Sequence, residues 1–219
     1  MMGCRFGLFA GLVLALCAVE GAVGSLIVMA PEETTGGTPK LLVLINGAGI
    51  GNEHYRATAA AIMTSAASCN VSLWVAIPSF LLDTPNPAEL HGKVTEAIAA
   101  VGSRGFGGIN ASADVFVGGH SLGGIFAQHE VATHAYAGLI LLGSYLTTAY
   151  GYDVETFGTP TLTVGGEVDG LTRVTYLAAQ LEGLEARVAR EGDVAAFEYA
   201  VALAPGVSHS QFASGVNVT

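Results

Sequence analysis

Short runs of apolar, often β-branched residues alternate with longer helical stretches, and this alternation limits the fold more than any other feature of the chain. The run 40–45, KLLVLI, is continuously apolar and bounded by turn residues, as in a buried strand of a parallel sheet. Alternating strands and helices are typical of α/β proteins, so we predict a mostly parallel central sheet with helices on both faces. The predicted strands are 25–31, 40–45, 71–78, 114–119, 136–144, 160–166 and 197–206, and the predicted helices are 55–68, 88–101, 122–134 and 171–190.

Length and charge narrow the class of protein. A chain of 219 residues is long enough for one domain with a sizeable core. Its residues are 51% hydrophobic and 12% charged, which argues against a disordered chain. The formal net charge of −10 opposes binding to nucleic acid or to an anionic membrane surface. We therefore expect neither a nucleic-acid partner nor a stable membrane partner.

The first 24 residues have the pattern of a secretory signal peptide. Arg5 precedes an apolar run from Phe6 to Val19, and small residues follow that run. An uncleaved membrane anchor and a buried first element are the alternatives. We expect a signal peptide at 1–24 and a single α/β domain at 25–219. The protein is then secreted or resident in the secretory-pathway lumen, or membrane-anchored if the segment stays uncleaved.

Glycosylation sequons and cysteines also bear on whether the protein follows the secretory route. N-x-S/T sequons at Asn70, Asn110 and Asn217 favour the secretory route and predict a glycoprotein. Cys69 is the one cysteine outside the predicted signal peptide, so we expect neither a disulfide framework nor a cysteine metal cluster. Cys69 itself is predicted to be a small buried residue.

The segment 114–127, DVFVGGHSLGGIFA, joins a predicted strand to a predicted helix through a turn with glycines on both sides of one serine. Residues 119–123 fit the pattern G-x-S-x-G, in which a strained turn exposes the serine hydroxyl. The positions two residues either side must lack side chains, which would otherwise collide with the helix or the adjoining strand. The alternative is a glycine-rich turn with an incidental serine. We interpret Ser121 as a nucleophile.

A serine hydroxyl needs a base to remove its proton, and His209 is the best-placed histidine. It follows the last predicted strand, so it lies at the carboxyl edge of the sheet, where Ser121 is also expected. His120 adjoins the serine and must point elsewhere. The alternative for His209 is a surface loop histidine. The other histidines belong to predicted helices or helix starts: His54, His91, His129 and His134.

A carboxylate must orient the histidine, and the loop after strand 160–166 offers two. We favour Asp169 because it is shorter, lies further into the loop and precedes a glycine and a helix. Glu167 is the alternative and is otherwise expected to be a solvated or helix-capping charge. Asp153 and Glu155 lie further from a strand end and are weaker candidates.

An oxyanion requires backbone N–H donors. One is expected from Leu122, directly after the nucleophile, and the other from the glycine-rich loop 46–52 that follows a buried strand. Ala48 is our choice in that loop, with Gly49 next. The loop lacks the spacing of phosphate-binding and dinucleotide-binding motifs, so we expect no cofactor. No metal site is expected either.

Taken together, four stretches resemble the α/β-hydrolase fold superfamily. VGGHSLGG resembles its nucleophile elbow, VGGEVDGLT its acid loop, LINGAGIG its oxyanion-side loop and PGVSHSQF its histidine loop. The order Ser121, Asp169, His209 is also that superfamily's order. The short interval between Ser121 and Asp169 resembles small uncapped members of the dienelactone-hydrolase, cutinase or chlorophyllase type, without a large cap domain.

Two departures from the superfamily pattern stand out. Asn46 occupies a position where many lipases and esterases of this fold carry histidine. The sequence also stops ten residues after His209, where members usually continue into a helix. We therefore expect a missing C-terminal helix, and a truncated chain is one interpretation of it.

The resemblance implies a serine hydrolase that cleaves carboxylic esters, small or lipid-like, through an acyl-enzyme. The alternatives are a peptidase, thioesterase or acyltransferase with the same three residues, or an inactive binding protein with this fold. Aromatic and apolar residues in two loops either line an acyl pocket or cover the core: Phe80, Leu81, Leu82, Tyr145, Tyr150 and Tyr152.

Overall fold

The computed structural model describes residues 25–32 and 36–216, which build a seven-stranded sheet. The strands are β1 (Ile27–Met29), β2 (Thr38–Ile45), β3 (Val71–Ile77), β4 (Val115–His120), β5 (Gly138–Leu142), β6 (Thr161–Gly166) and β7 (Val201–Ala204). Their order across the sheet is β1-β3-β2-β4-β5-β6-β7. Within the described residues, β1 alone runs antiparallel to its neighbour, at one edge. The predicted mostly parallel sheet is confirmed.

Helices connect the parallel strands, except between β5 and β6. They are α1 (Arg56–Ser68), α2 (Pro87–Ser103), α3 (Ala111–Asp114), α4 (Leu122–Thr133), α5 (Val174–Glu191) and α6 (Val194–Glu198). Four short 3₁₀ turns lie at Asn52–Tyr55, Leu81–Asp83, Thr148–Tyr150 and His209–Phe212. Between α4 and β6 the chain forms only β5, one 3₁₀ turn and loops, so this stretch holds no large cap domain.

The sheet is covered on both faces, and β2 shows why its sequence is continuously apolar. Leu41, Val43 and Ile45 belong to the hydrophobic cluster that includes residues of α2 and α4. Leu42 and Leu44 point to the other face and pack with residues of α1. All five side chains are essentially inaccessible to solvent. A strand buried on both sides needs apolar residues at every position, which is the pattern that its sequence displays.

Three details differ from the sequence predictions. The last strand begins at Val201 instead of 197, because residues 194–198 form the short helix α6. Cys69 is exposed at the C-terminal end of α1, so the prediction of a buried cysteine was wrong. The helix α3, which Asn110 caps through its side-chain oxygen, was not predicted at all.

The predicted signal peptide and one of the predicted sequons fall on the two ends of the chain, which the structure does not describe. The predicted signal peptide at 1–24 lies outside the described residues, as does the sequon at Asn217. The sequon asparagines Asn70 and Asn110 are both exposed. No helix within residues 25–32 and 36–216 is both long enough and apolar enough to cross a lipid bilayer.

Candidate active site

Ser121 occupies a sharp turn between β4 and α4. Its backbone has φ 52° and ψ −122°, a conformation that residues with side chains rarely adopt. The turn makes Ser121 the residue that precedes the first helical position of α4. Such a strained strand-to-helix turn is the geometry that the sequence pattern predicts, and it leaves the serine partly exposed.

Two glycines make this turn sterically possible. A Cβ atom at Gly119 would lie 2.3 Å from the backbone carbon of Gly123. A Cβ atom at Gly123 would lie 2.3 Å from the carbonyl oxygen of Asn46, at the end of β2. Both distances are far below van der Waals contact, so each position requires glycine. The helix α4 can therefore start directly against β4 and against the loop that follows β2.

The structure brings Ser121, His209 and Asp169 into one hydrogen-bonded chain. The Ser121 Oγ lies 2.8 Å from His209 Nε2, and His209 Nδ1 lies 2.8 Å from Asp169 Oδ2. The Asp169 side chain has no solvent exposure and that of His209 has 16%. Since a carboxylate can only accept, His209 donates from Nδ1 and its Nε2 accepts from the serine hydroxyl. An imidazole in this tautomer can take the serine proton.

Backbone donors hold the Asp169 carboxylate. Its Oδ1 accepts hydrogen bonds from the N–H groups of Leu171 and Thr172, at 2.8 and 2.7 Å. The hydroxyl of Thr172 in turn donates to the carbonyl of Gly143, after β5. Glu167, the alternative carboxylate, instead accepts from the Gly206 N–H at 2.8 Å, away from the His209 imidazole. Asp169 is thus oriented by three hydrogen bonds, one of them to His209.

Sequence reasoning missed a second network, centred on His120. The buried His120 ring donates from Nε2 to the carbonyl oxygen of His209, at 2.9 Å. Its Nδ1 accepts from the Tyr55 hydroxyl at 2.8 Å, and that oxygen accepts from the Gly47 N–H at 2.7 Å. The network therefore ties the histidine loop to the loop after β2. A histidine beside the serine was visible in the sequence, but its distant partners were not.

The protonation states in this network follow from burial. Desolvation, together with the nearby His209, lowers the pKa of His120 to about 4, so its ring is neutral at neutral pH. Burial raises the pKa of Tyr55 to about 12, so its hydroxyl keeps its proton. A neutral imidazole with one donor and one acceptor nitrogen matches the observed partners.

The loop after β2 and the start of α4 offer backbone N–H groups that differ in whether they already have a partner. In the loop after β2, the Gly47 N–H is donated to Tyr55 and the Gly49 N–H to the carbonyl of Asp83. No hydrogen bond found among the described residues engages the Ala48 N–H or the Leu122 N–H. Asn46, where the superfamily often carries histidine, is buried and its side-chain amide donates to backbone carbonyls of the same region.

The remaining histidines lie elsewhere. His54 contacts the backbone of Ser214, and His129 contacts Tyr152. His91 and His134 meet Glu130 near the far end of α4, and within the described residues these three form the one group that offers three metal-ligand atoms close together. Nothing comparable lies beside Ser121 in the described part of the chain.

The loop residues considered for an acyl pocket differ in exposure and in contacts. Phe80 is buried in the core, while Leu81 and Leu82 are exposed. The turn that holds both leucines is joined to the loop after β2 through Asp83. Tyr145 stacks on Tyr176, with ring centroids 4.3 Å apart.

Comparison with known proteins bears on the family. The alpha/beta hydrolase family model matches residues 41–189, more than half of the chain. No curated protein matches it at a significant level. Many solved structures also match the chain, among them three that share the fold at low identity. Esterase PE8 is 14% identical, with a TM-score of 0.55 over 84% of this chain and 90% of its own.

The other two structures are similar to the same extent. Est1E from Butyrivibrio proteoclasticus is 14% identical, with a TM-score of 0.52 over 84% of this chain and 85% of its own. MGS-MChE2, an alpha/beta hydrolase enzyme from a sediment metagenome of the Mar Chica lagoon, Morocco, is 15% identical, with a TM-score of 0.51 over 85% and 87%. Together with the family match, the fold and the elbow geometry lead to one conclusion: the chain belongs to the alpha/beta hydrolase family, which supports hydrolase activity.

Proposed function

We propose that this protein is a serine hydrolase that cleaves carboxylic esters through an acyl-enzyme. One observation carries the proposal: Ser121 Oγ, His209 and Asp169 are linked by two hydrogen bonds of 2.8 Å on a strained elbow. This is the arrangement that turns a weakly nucleophilic hydroxyl into a reactive one.

In the first half of the proposed reaction, His209 Nε2 takes the proton from Ser121 Oγ while that oxygen attacks the ester carbonyl carbon. Asp169 holds the imidazole in place and stabilises the imidazolium that forms. The tetrahedral intermediate then collapses, the bond to the alkoxy oxygen breaks, and His209 returns the proton to the leaving alcohol. An acyl group remains on Ser121.

In the second half, His209 takes a proton from water, and the resulting hydroxide attacks the acyl carbon. The intermediate releases Ser121 Oγ, which recovers the proton from His209, and the carboxylic acid leaves. Each proton passes through one nitrogen, His209 Nε2, so its 2.8 Å distance to Ser121 Oγ is the geometric requirement of both halves.

The proposed oxyanion donors are the N–H groups of Leu122 and Ala48. Leu122 is the first residue of α4, where N–H groups lack partners within the helix and carry the positive end of its dipole. Ala48 is preferred over Gly49 because the Gly49 N–H already donates to Asp83. Two such donors stabilise the negative oxygen by several kcal/mol in comparable sites, roughly 3–4 kcal/mol for each.

Exposed apolar side chains support an ester with an apolar portion. Leu82 is 80% exposed in the turn joined to the Ala48 loop, and Leu81 lies beside it. In the loop that holds Asp169, Val168 and Leu171 are also exposed. Large apolar side chains on loops around a reactive group are typical of surfaces that contact an apolar ligand.

The proposal is tested by reacting the protein with a fluorophosphonate probe and by measuring turnover of p-nitrophenyl esters of increasing chain length. We expect labelling at Ser121 and a fall in kcat of at least about 10³-fold in Ser121→Ala. Ser103→Ala, which removes an exposed helix hydroxyl, is the matched control and should leave both readouts intact.

A folded protein that shows no Ser121-dependent labelling would overturn the nucleophile. Labelling with faster turnover of peptides or thioesters than of oxygen esters would overturn the ester assignment. Transfer of the acyl group to an added alcohol in preference to water would instead identify an acyltransferase.

A further inference from the structure

We propose that His91, Glu130 and His134 form a binding site for a single divalent transition-metal ion, with Zn²⁺ as the fitting ion. His91 lies on α2, Glu130 on α4, and His134 directly follows the last residue of α4. The site is separate from Ser121, because α4 has 12 residues and therefore places its two ends about 18 Å apart.

The three side chains converge on one carboxylate oxygen. Glu130 Oε1 lies 2.8 Å from His91 Nδ1 and 3.4 Å from His134 Nδ1. One ligand atom from each residue falls within 4.8 Å of the other two. The two imidazole rings stack with their centroids 3.9 Å apart. Two imidazoles and a carboxylate from two helices thus already lie side by side.

These separations suit a metal ion with nitrogen and oxygen ligands. Zn²⁺ binds imidazole nitrogen and carboxylate oxygen at about 2.0–2.2 Å, so ligand atoms around it lie roughly 3.3 Å apart in a tetrahedral site. The observed 2.8 and 3.4 Å bracket that value. Both imidazoles are substantially exposed, so water can complete the coordination. Imidazole with carboxylate also binds Cu²⁺ and Ni²⁺, and geometry and availability decide among the ions.

A further hydrogen bond prepares the carboxylate as a ligand. The Tyr136 hydroxyl donates to Glu130 Oε1 at 2.7 Å. Partners of this kind orient ligating carboxylates in metal sites.

A simple ion pair does not account for the convergence. Glu130 is only 5% exposed, and a buried carboxylate requires compensation, which one histidine and Tyr136 would already provide. A second imidazole at 3.4 Å, stacked on the first, adds little to that pair. It does supply a third ligand. The two rings lie within 14° of parallel, so the exposed His134 ring rotates out of the stack to direct Nδ1 at the same ion as His91. It then gives up contacts to Thr133 Oγ1 at 3.1 Å and to the Glu130 carbonyl at 3.3 Å.

The test is calorimetric titration of the chelator-treated, tag-free protein with Zn²⁺, together with Co²⁺ absorption as a report on coordination. We expect one ion per chain, a Kd of about 10 μM or below, and a concentration-dependent rise of the unfolding midpoint. His91→Gln and His134→Gln should each weaken binding at least about tenfold. Both side chains are exposed, so both variants should fold, which circular dichroism verifies.

Two matched controls keep the proposal open to refutation. His129→Gln alters an exposed histidine of the same helix and should leave binding unchanged. Cys69→Ser removes the exposed thiol, which also has affinity for Zn²⁺, and should likewise leave binding unchanged. Absence of saturable binding, or binding that persists in both His91→Gln and His134→Gln, would overturn the site. All readouts are independent of hydrolase activity.

Discussion

Two histidine–carboxylate pairs with the same nitrogen–oxygen distance lie near opposite ends of α4. The inner pair, His209 with Asp169, and the outer pair, His91 with Glu130, both have a nitrogen–oxygen distance of 2.8 Å. In the inner pair the imidazole is 16% exposed, whereas in the outer pair it is 56% exposed. Both carboxylates are buried, so the two pairs differ in the exposure of the imidazole and not in the chemical groups or their distance.

The difference lies in how each pair is held. Backbone N–H groups of the loop after β6 hold the Asp169 carboxylate in place. The His120 side chain donates a hydrogen bond to the His209 carbonyl oxygen and so holds the backbone of His209. Among the described residues, the side chains of the outer pair are held only by other side chains, those of Tyr136 and His134. A proton relay needs fixed orientation, while a ligand site needs access and some freedom to adjust. A nitrogen–oxygen distance alone therefore does not distinguish the two proposed uses.

The largest expected effect comes from breaking the inner pair. Asp169→Asn keeps the shape but removes the acceptor that sets the His209 tautomer, so kcat should fall by about 10³–10⁴-fold. Glu167→Gln, in the same loop, should change kcat by about threefold or less, because this exposed carboxylate contacts only the Gly206 N–H among the described residues. Ester hydrolysis rates of the two variants provide the measurement. A larger loss in Glu167→Gln would reverse the assignment of the acid.

The support of the inner pair should make stability depend on pH. Burial lowers the pKa of His120 from 6.5 to about 4, so the unfolded chain binds a proton that the folded chain rejects between these values. The free energy of unfolding should therefore fall as pH decreases from about 6.5 to 4, by about 3 kcal/mol from this group. Urea unfolding at several pH values measures the slope. His120→Gln should flatten it, and an unchanged slope would contradict the prediction.

Removing one hydroxyl from the same network should have a smaller effect. Tyr55→Phe leaves the Gly47 N–H and His120 Nδ1 without their partner, which should cost about 1–3 kcal/mol of unfolding free energy. Tyr150→Phe, at an exposed tyrosine, is the control and should cost less than about 0.5 kcal/mol. Equal costs in urea unfolding would show that the buried hydroxyl contributes nothing specific.

The smallest effect is expected at the outer pair. Glu130→Gln keeps an oxygen that can accept from Tyr136 and His91, so the free energy of unfolding without metal should fall by only about 1 kcal/mol. Thermal and urea unfolding in the presence of a chelator measure it. If Glu130→Gln lost as much unfolding free energy as Tyr55→Phe, both pairs would be rigid structural elements. The proposed difference in how the two pairs are held would then be wrong.

The fold was predictable because its strands and its sharp turn each correspond to a pattern within a short stretch of the sequence. Continuous apolar runs marked the buried strands, and the glycines around Ser121 marked the turn. The proximity of Ser121, Asp169 and His209 followed from one rule, that parallel strands end at the same edge of the sheet. Their catalytic role stays a prediction, as does the signal peptide.

What the sequence could not reveal depends on contacts between distant elements. His91 and Glu130 meet only because α2 packs on α4, and no periodicity in either helix indicates which side chains will touch. The sequence indicated that His120 points away from Ser121, but it could not identify what His120 contacts. Its partners, Tyr55 and the His209 carbonyl, lie 65 and 89 positions away in the sequence. Cys69 lies before a strand, yet the end of α1 leaves it exposed.

The contact between Gly123 and the Asn46 carbonyl has a consequence for how such an enzyme can change. Because the elbow rests directly on the backbone that leads into the Ala48 loop, the proposed nucleophile and the proposed donor in that loop share one backbone support. A larger residue at Gly123 would therefore displace both at once. Leu82 and Leu171 are exposed on neighbouring loops, so we expect changes at these two positions to alter the proposed substrate preference without moving that support.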